Sequence, residues 1–406
     1  MLDWTNLVGV LVGPFLVASA SFAAPDFVAF QRHEIDSFPA GYQVAVADIN
    51  SDGRPDVIAL STEADRVDWY ENPGWKRHPV ARTTRNIDIA PCDIDGDGIA
   101  ELALASGFYF SESTRGGEIQ WLDQPAKPAD LWRLRPIAVD PVVHRLRWGD
   151  LDGDGRPELV HAPMFGRGSR GALDPKPAHL WAFRPPRPPL EGAWETWKID
   201  ETLTVLHGIH VADLDGDGRD EILTASYEGI HLFDFEGEGS AARWQKTRIS
   251  QGAEPQDQKP GSARGSSEVA PGKLGSGHRF IAAIEPWHGN QVVVYTRADG
   301  ASAWRRRVLD ESLEQGHALV AADLDGDGAD EIVAGWRRGE GGLAIYDPRD
   351  DTGEQWAKIP LDRGIAVEGA VAADINRDGR LDIVAIAGRS NLLVRYENLG
   401  RQIAKP

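Results

Sequence analysis

The chain has 406 residues, a formal charge of −20, 44 glycines and one cysteine. A charge this acidic would repel nucleic acid if nothing compensated it, and a lone cysteine excludes an internal disulfide. Length alone allows two or three domains, but closed all-β folds of this size also run as one.

From the N-terminus, residues 5–20 form an apolar stretch short of a comfortable bilayer span, and the small residues from Ala18 to Ala24 then offer a cleavage site. Residues 1–23 therefore read as a signal peptide, and 24–406 as one domain of a secreted or periplasmic protein. Asp3 stands where a basic residue is usual, which leaves an uncleaved anchor as the alternative. No later segment is long and apolar enough to cross a membrane.

Val28 to Asp36 has strand character and precedes the first of six similar loops. That loop carries Asp48, Asn50, Asp52 and Asp56, with Gly53 at its sharp turn. The copies are Asp93, Asp95, Asp97 and Glu101; Asp150, Asp152, Asp154 and Glu158; Asp213, Asp215, Asp217 and Glu221; Asp323, Asp325, Asp327 and Glu331; and Asp374, Asn376, Asp378 and Asp382. Oxygens at positions 1, 3, 5 and 9 make a cage for a hard cation. Calcium takes six to eight oxygens in flexible geometry, whereas magnesium wants a tighter octahedron, so calcium is the expected ion in about six loops. Six such ions would bring the charge to about −8, so the acidity says little about partners.

An EF-hand would need Glu at position 12 and flanking helices. Here position 12 of the first loop is Ala59, and the flanks Val57-Ile58-Ala59-Leu60 and Leu102-Ala103-Leu104-Ala105 have strand length. The first aspartates are spaced by 45, 57, 63, 110 and 51 residues, so the fourth interval hides a unit whose loop is lost near Lys273-Leu274-Gly275-Ser276-Gly277. Seven units of several strands predict an all-β, seven-bladed β-propeller. The last unit stops at Tyr396, and Val28 to Asp36 is expected to supply its missing strand, closing the ring.

The strand entering each loop is innermost and runs about six residues, or about 20 Å. Six residues before each first aspartate stand Tyr42, Ile87, His144, His207, His317 and Glu368, with Ser267 or Glu268 in the degenerate unit. Equivalent positions converge on the central channel. Three neutral imidazoles with an open fourth position describe a catalytic zinc site, with Glu368 as fourth ligand or orienting partner. The alternative is that these histidines cap strands or bind buried water. Turns on the same face hold His161, Tyr227, Glu285-Pro286-Trp287-His288, Arg337 and Arg389, a mixture suited to a sugar: rings stack on its faces while Arg and His bind its oxygens.

The loops resemble the FG-GAP or VCBS repeats of integrin-type propellers. The segments His144-Arg145-Leu146-Arg147-Trp148-Gly149, Leu206-His207-Gly208, Gly265 to Lys273, Glu285-Pro286-Trp287-His288-Gly289-Asn290 and Gly316-His317 are together similar to the propeller of the aldos-2-ulose dehydratase/isomerase and anhydrofructose dehydratase family. That resemblance implies zinc in a cleft of the propeller and dehydration of a keto-sugar. It carries no isomerisation, which belongs to the family's cupin part. From the residues at that face, His288 and Glu285 are the candidates for acid and base, without assigning which is which, with His161 beside them, and Trp287, Arg337, Tyr227, Arg389 and Lys273 are the candidate substrate-binding residues. Two rivals stand: a non-catalytic, integrin-like propeller binding carbohydrate or protein, and a lyase acting on polysaccharides or 3-keto-glycosides.

Overall fold

The computed structural model describes residues 27–401 apart from 126, 129, 189, 238–242, 256, 258, 299 and 302; the expected signal peptide lies outside them. Every regular element among the described residues is a strand, and the strands form seven four-stranded antiparallel sheets. The innermost strands are Gly41–Ala47, Asp88–Cys92, Val143–Gly149, Gly208–Ala212, Glu268–Lys273, Gly316–Ala322 and Val367–Ala373. The first six begin blades 1 to 6 in chain order, and the last belongs to blade 7.

Ring closure is as the sequence predicts. Phe30–Ser37 pairs antiparallel with Leu392–Asn398 as the outer strand of blade 7, so the first and last parts of the propeller share one sheet. This covers an edge that would otherwise present unpaired backbone groups.

The second strands Asp56–Ser61, Glu101–Ser106, Glu158–Pro163, Glu221–Ser226 and Asp382–Ala387 are buried along their whole length, because each is covered on both faces by neighbouring blades. Apolar clusters accordingly span blade pairs: Ile58, Leu60 and Val67 pack with Leu102 and Leu104. The aromatic residue that recurs in the third strand has a polar task as well. Tyr70 donates to Asp36 at 2.6 Å, Tyr396 to Asp362 at 2.6 Å, and Tyr346 to Asp310, each reaching the outer strand of the preceding blade. Asn72 and Asn398 make a second tie by donating to the carbonyls of Ile375 and Leu324, at position 2 of the preceding blade's acidic loop.

The inner strands run from the acidic loops at one end to the histidine column at the other. The polar segments around Leu173 and Gly261 lie on the histidine side and approach each other, since a Cβ at Gly261 would stand 3.0 Å from Leu173.

Candidate metal centre

The acidic loops fold as compact oxygen nests. In the first, the Asp48 carboxylate accepts the amides of Asp52 and Gly53, Asp52 accepts that of Arg54, and Asp56 reaches back to the amide of Ile49. Four loops bring three carboxylates within 4.8 Å of one another: Asp93, Asp95 and Glu101; Asp150, Asp152 and Glu158; Asp213, Asp215 and Glu221; and Asp323, Asp325 and Glu331. The loops at Asp48 and Asp374 have Asn50 and Asn376 in the third position. Burial, with neighbouring carboxylates, pushes Asp56 up to about 6, Glu101, Glu158 and Glu221 to about 7, and Glu331 to about 9. Such groups ionise readily only if a cation joins them.

At the opposite end, His144, His207 and His317 are buried at matching heights of blades 3, 4 and 6. Their orientations repeat. Nδ1 of His144 lies 3.1 Å from the carbonyl oxygen of His207, Nδ1 of His207 lies 3.1 Å from that of Ser267, and Nδ1 of His317 lies 2.6 Å from that of Glu368. A carbonyl only accepts, so each Nδ1 carries the proton and each Nε2 presents a lone pair inward. Gly208 lets this happen in blade 4: a Cβ there would meet the Ser267 oxygen at 2.7 Å, so a larger residue would push the next blade away.

His288 completes the group from a different direction. It sits on the turn after the second strand of blade 5 with φ of 47°, a conformation few non-glycine residues adopt, and its Nε2 stands 2.8 Å from Nε2 of His207. The nitrogens of His207, His288 and His317 lie within 4.8 Å of one another. His288, expected as acid or base, thus joins the imidazole cluster, and His144 adjoins it through Tyr42. The Tyr42 hydroxyl is 3.1 Å from Nε2 of His144 and 3.2 Å from Nε2 of His317.

Charges around the imidazoles are balanced in pairs. Arg145 meets Glu268 at 3.0 Å, and Glu268 lies 2.9 Å from Nδ1 of His207. Arg337 meets Glu368 at 2.7 Å and brings its other nitrogen within 3.3 Å of His288. Burial, reinforced by Arg145, Arg337 and the neighbouring imidazoles, holds His144, His288 and His317 well below the ordinary histidine value. Burial lowers His207 also, partly offset by Glu268. Three imidazoles, of His207, His288 and His317, with nitrogens within 4.8 Å of one another and a fourth, His144, beside them fit a transition metal. Glu368 stands as an orienting partner, since its carboxylate is taken by Arg337 and lies 3.5 Å from Nδ1 of His317.

The other expected site residues divide. Trp287 stacks on His288 with ring centroids 4.5 Å apart and meets Tyr227 edge-on at 5.7 Å, and its indole N–H is buried without a protein acceptor. Arg389 donates to the carbonyl of Arg337. Glu285 is not brought to the imidazoles: its carboxylate is buried and taken by Ser266, Tyr295 and Arg306. There it anchors the turn that carries His288. His161 pairs with Asp140 at 3.1 Å inside blade 3, away from the cluster. Lys273 lies at the far end of its inner strand, bonded through its backbone to Asp330 beside the acidic loops, because a strand of this length carries its two ends to opposite faces. Tyr42, Arg145 and Glu268 were missed as site residues. Tyr42 and Glu268 stand in the histidine column, which was the available signal.

A family model for the β-propeller domain of aldos-2-ulose dehydratase matches residues 116–298, and one for FG-GAP-like repeats matches 48–104 and 323–385. The chain is an FG-GAP-repeat propeller resembling that of aldos-2-ulose dehydratase. It is 26% identical over 375 residues to aldos-2-ulose dehydratase of Phanerodontia chrysosporium, covering 86% of this chain and 40% of that protein. It thus spans about two fifths of this relative's length. Integrin alpha pat-2 of Caenorhabditis elegans is 29% identical over 141 residues, 28% of this chain and 11% of that one. The crystal structure of BBS1N in complex with ARL6DN, soaked with lead, superposes with a TM-score of 0.55 at 13% identity, covering 93% of this chain and 98% of that one, a likeness of fold alone. No helix among the described residues is long and apolar enough to cross a membrane.

Proposed function

We propose that this propeller is a metal-dependent carbon–oxygen lyase that removes water from a keto-sugar of the aldos-2-ulose or anhydrofructose type. The observation that carries the reading is the convergence of imidazoles from blades 3, 4 and 6, their tautomers set by backbone carbonyls, with His288 of blade 5, whose Nε2 lies 2.8 Å from that of His207. The likeness to a dehydratase supports the substrate class. His207, His288 and His317 would hold the ion, zinc being the favoured metal for neutral nitrogen donors. When bound, it supplies Lewis acidity for the keto oxygen as the adjacent carbon loses its proton.

The chain's own residues do the rest. His144, neutral and with its Nε2 held between Arg145 and the Tyr42 hydroxyl, would accept the proton of the carbon next to the ketone once the sugar displaces those contacts. Arg337 sits beside His288 and would give a hydrogen bond to the leaving hydroxyl, which departs as water with the proton that His144 removed. Trp287 offers the sugar a ring face at the channel mouth and an unpartnered N–H for one of its oxygens. The acidic loops hold calcium at the opposite end, where it ties second strands to inner strands.

Metal analysis of the purified protein, followed by incubation with a panel of keto-sugars while enone absorbance is monitored, tests the reading. One transition-metal ion per chain and metal-dependent enone formation are expected. A metal-free protein that binds sugars without converting them would return the chain to the class of binding propellers.

A further inference from the structure

The histidine side of the propeller is walled unevenly. Blades 2 and 3 carry long turns there, 107–117 and 164–179, and residues 259–267 lead from blade 4 into blade 5; the turns 62–65, 337–341 and 388–391 of blades 1, 6 and 7 are short. The long segments meet one another. Ser113 donates to the carbonyl of Ser169 at 2.8 Å, and Leu173 lies against Gly261.

What these segments share is apolar. Phe108, Ala172 and Trp287, all partly exposed, pack on one buried cluster that includes Phe165 and Tyr227. At one end of this wall the Phe108 ring lies 5.8 Å from that of His144, and at the other Trp287 stacks on His288, so the wall borders the imidazoles directly. It also continues beyond them. Phe110 follows Phe108 at 6.4 Å and meets Phe165 at 5.4 Å; it is 42% exposed, and with interplanar angles of 59° and 72° neither ring stacks on it. Gly171 brings the next segment against the edge of Phe110, and Leu173, two residues on, is 67% exposed. The far side of the imidazoles is polar instead, with Arg337 paired to Glu368 and Arg389 bonded to the Arg337 carbonyl. A ligand seated at this mouth meets charge on one side and apolar rings on the other, and an exposed apolar wall rimmed by polar groups marks a binding surface.

We propose that the substrate is a keto-glycoside whose sugar lies at the imidazoles and whose apolar aglycone lies against Phe108, Phe110 and Leu173. The inference rests on the dehydratase reading above and names the substrate class within it. A free sugar held at the imidazoles would leave Phe110 and Leu173 uncovered. The elimination breaks one C–H and one C–O bond of the sugar, forms a C=C bond and releases water, and the bond to the aglycone stays intact.

The test uses the full chain in calcium and zinc. Binding is measured by calorimetry with methyl and phenyl glucosides of either anomer, which lack the ketone and are not converted, and enone formation is then followed with their 2-keto counterparts. Covering a phenyl ring on this wall should tighten binding at least about tenfold over methyl. Phe110→Ser combined with Leu173→Ser should abolish that preference and leave the affinity for the methyl glucoside unchanged. Should the double variant fail to fold, Leu173→Ser alone should still weaken phenyl binding by about threefold. Equal affinity for the two glucosides, binding of neither, or a phenyl preference that survives these substitutions overturns the inference. Enone formation without a phenyl preference leaves the dehydratase reading standing alone, and a phenyl preference without enone from either keto-glycoside removes that reading and keeps the aglycone site.

Discussion

The Nδ1 proton of His144 is given to the carbonyl oxygen of His207 at 3.1 Å, and His207 gives its own to Ser267 of the next blade at the same distance. Neighbouring blades thus fix one another's tautomers, and each inner strand supplies both a donor ring and an acceptor carbonyl. The metal reading depends on this relation, because an imidazole in the other tautomer would turn a proton toward the ion.

Removing a ligand should therefore act on the metal and not on the fold. His317→Ala is expected to lower transition-metal affinity by more than the roughly 10–100-fold that an orienting partner contributes. Competition with a chromophoric chelator measures this, and melting in calcium should still be cooperative. Full metal retention in His317→Ala and His207→Ala alike would remove the ligand assignment.

Glu268 links Arg145 to Nδ1 of His207 without facing the ion. Glu268→Gln keeps its size but weakens both contacts, so metal affinity should drop by about 10–100-fold while the bound stoichiometry at saturating zinc stays at one. An unchanged affinity would mean that the Ser267 carbonyl orients His207 alone.

The acidic loops predict a pH dependence of opposite sign with and without calcium. In the ion-free chain Glu101, Glu158 and Glu221 are raised to about 7 and Glu331 to about 9, mainly by burial. The folded state then holds protons that the unfolded state releases, so this stability is complete below about pH 4 and is lost as pH rises through 7 to 9. Calcium needs the same groups ionised. In chelator the thermal midpoint should fall between about pH 5.5 and 8.5, and the increment produced by calcium should grow over that range. Equal calcium increments at both ends would count against occupancy of the loops.

Tyr396 latches blade 7 to blade 6 through Asp362, which also pairs with Arg32 of the closing strand. Tyr396→Phe should cost about 1–3 kcal/mol by leaving that carboxylate short of a donor. A shift of the denaturant midpoint without a change in slope would show it. No shift would mean that Arg32 alone satisfies Asp362.

The layout of the blades is encoded in the repeat. The loop spacing gave the number of blades, and the doubled interval gave the unit without an acidic loop. The strand-like Val28 to Asp36 gave the closure, since an antiparallel ring leaves only one place for an extra outer strand. The column of His144, His207 and His317 was legible for the same reason: equal offsets from equal loops must lie at equal heights around one axis. Contacts from outside the period depend on how the blades pack against one another. His288 stands on a turn, and its reach to His207 depends on how blade 5 leans against blade 4. Glu285, two residues before Trp287, turns instead into its own blade toward Arg306 and Tyr295. Lys273 lies at the wrong end of a strand whose upper end, Glu268, belongs to the site, because rise per residue and not nearness in sequence sets the distance across a propeller. Tyr42 stands in the column, but its hydroxyl is set between imidazoles of blades 3 and 6, 173 positions apart in the chain, by the closing of the ring.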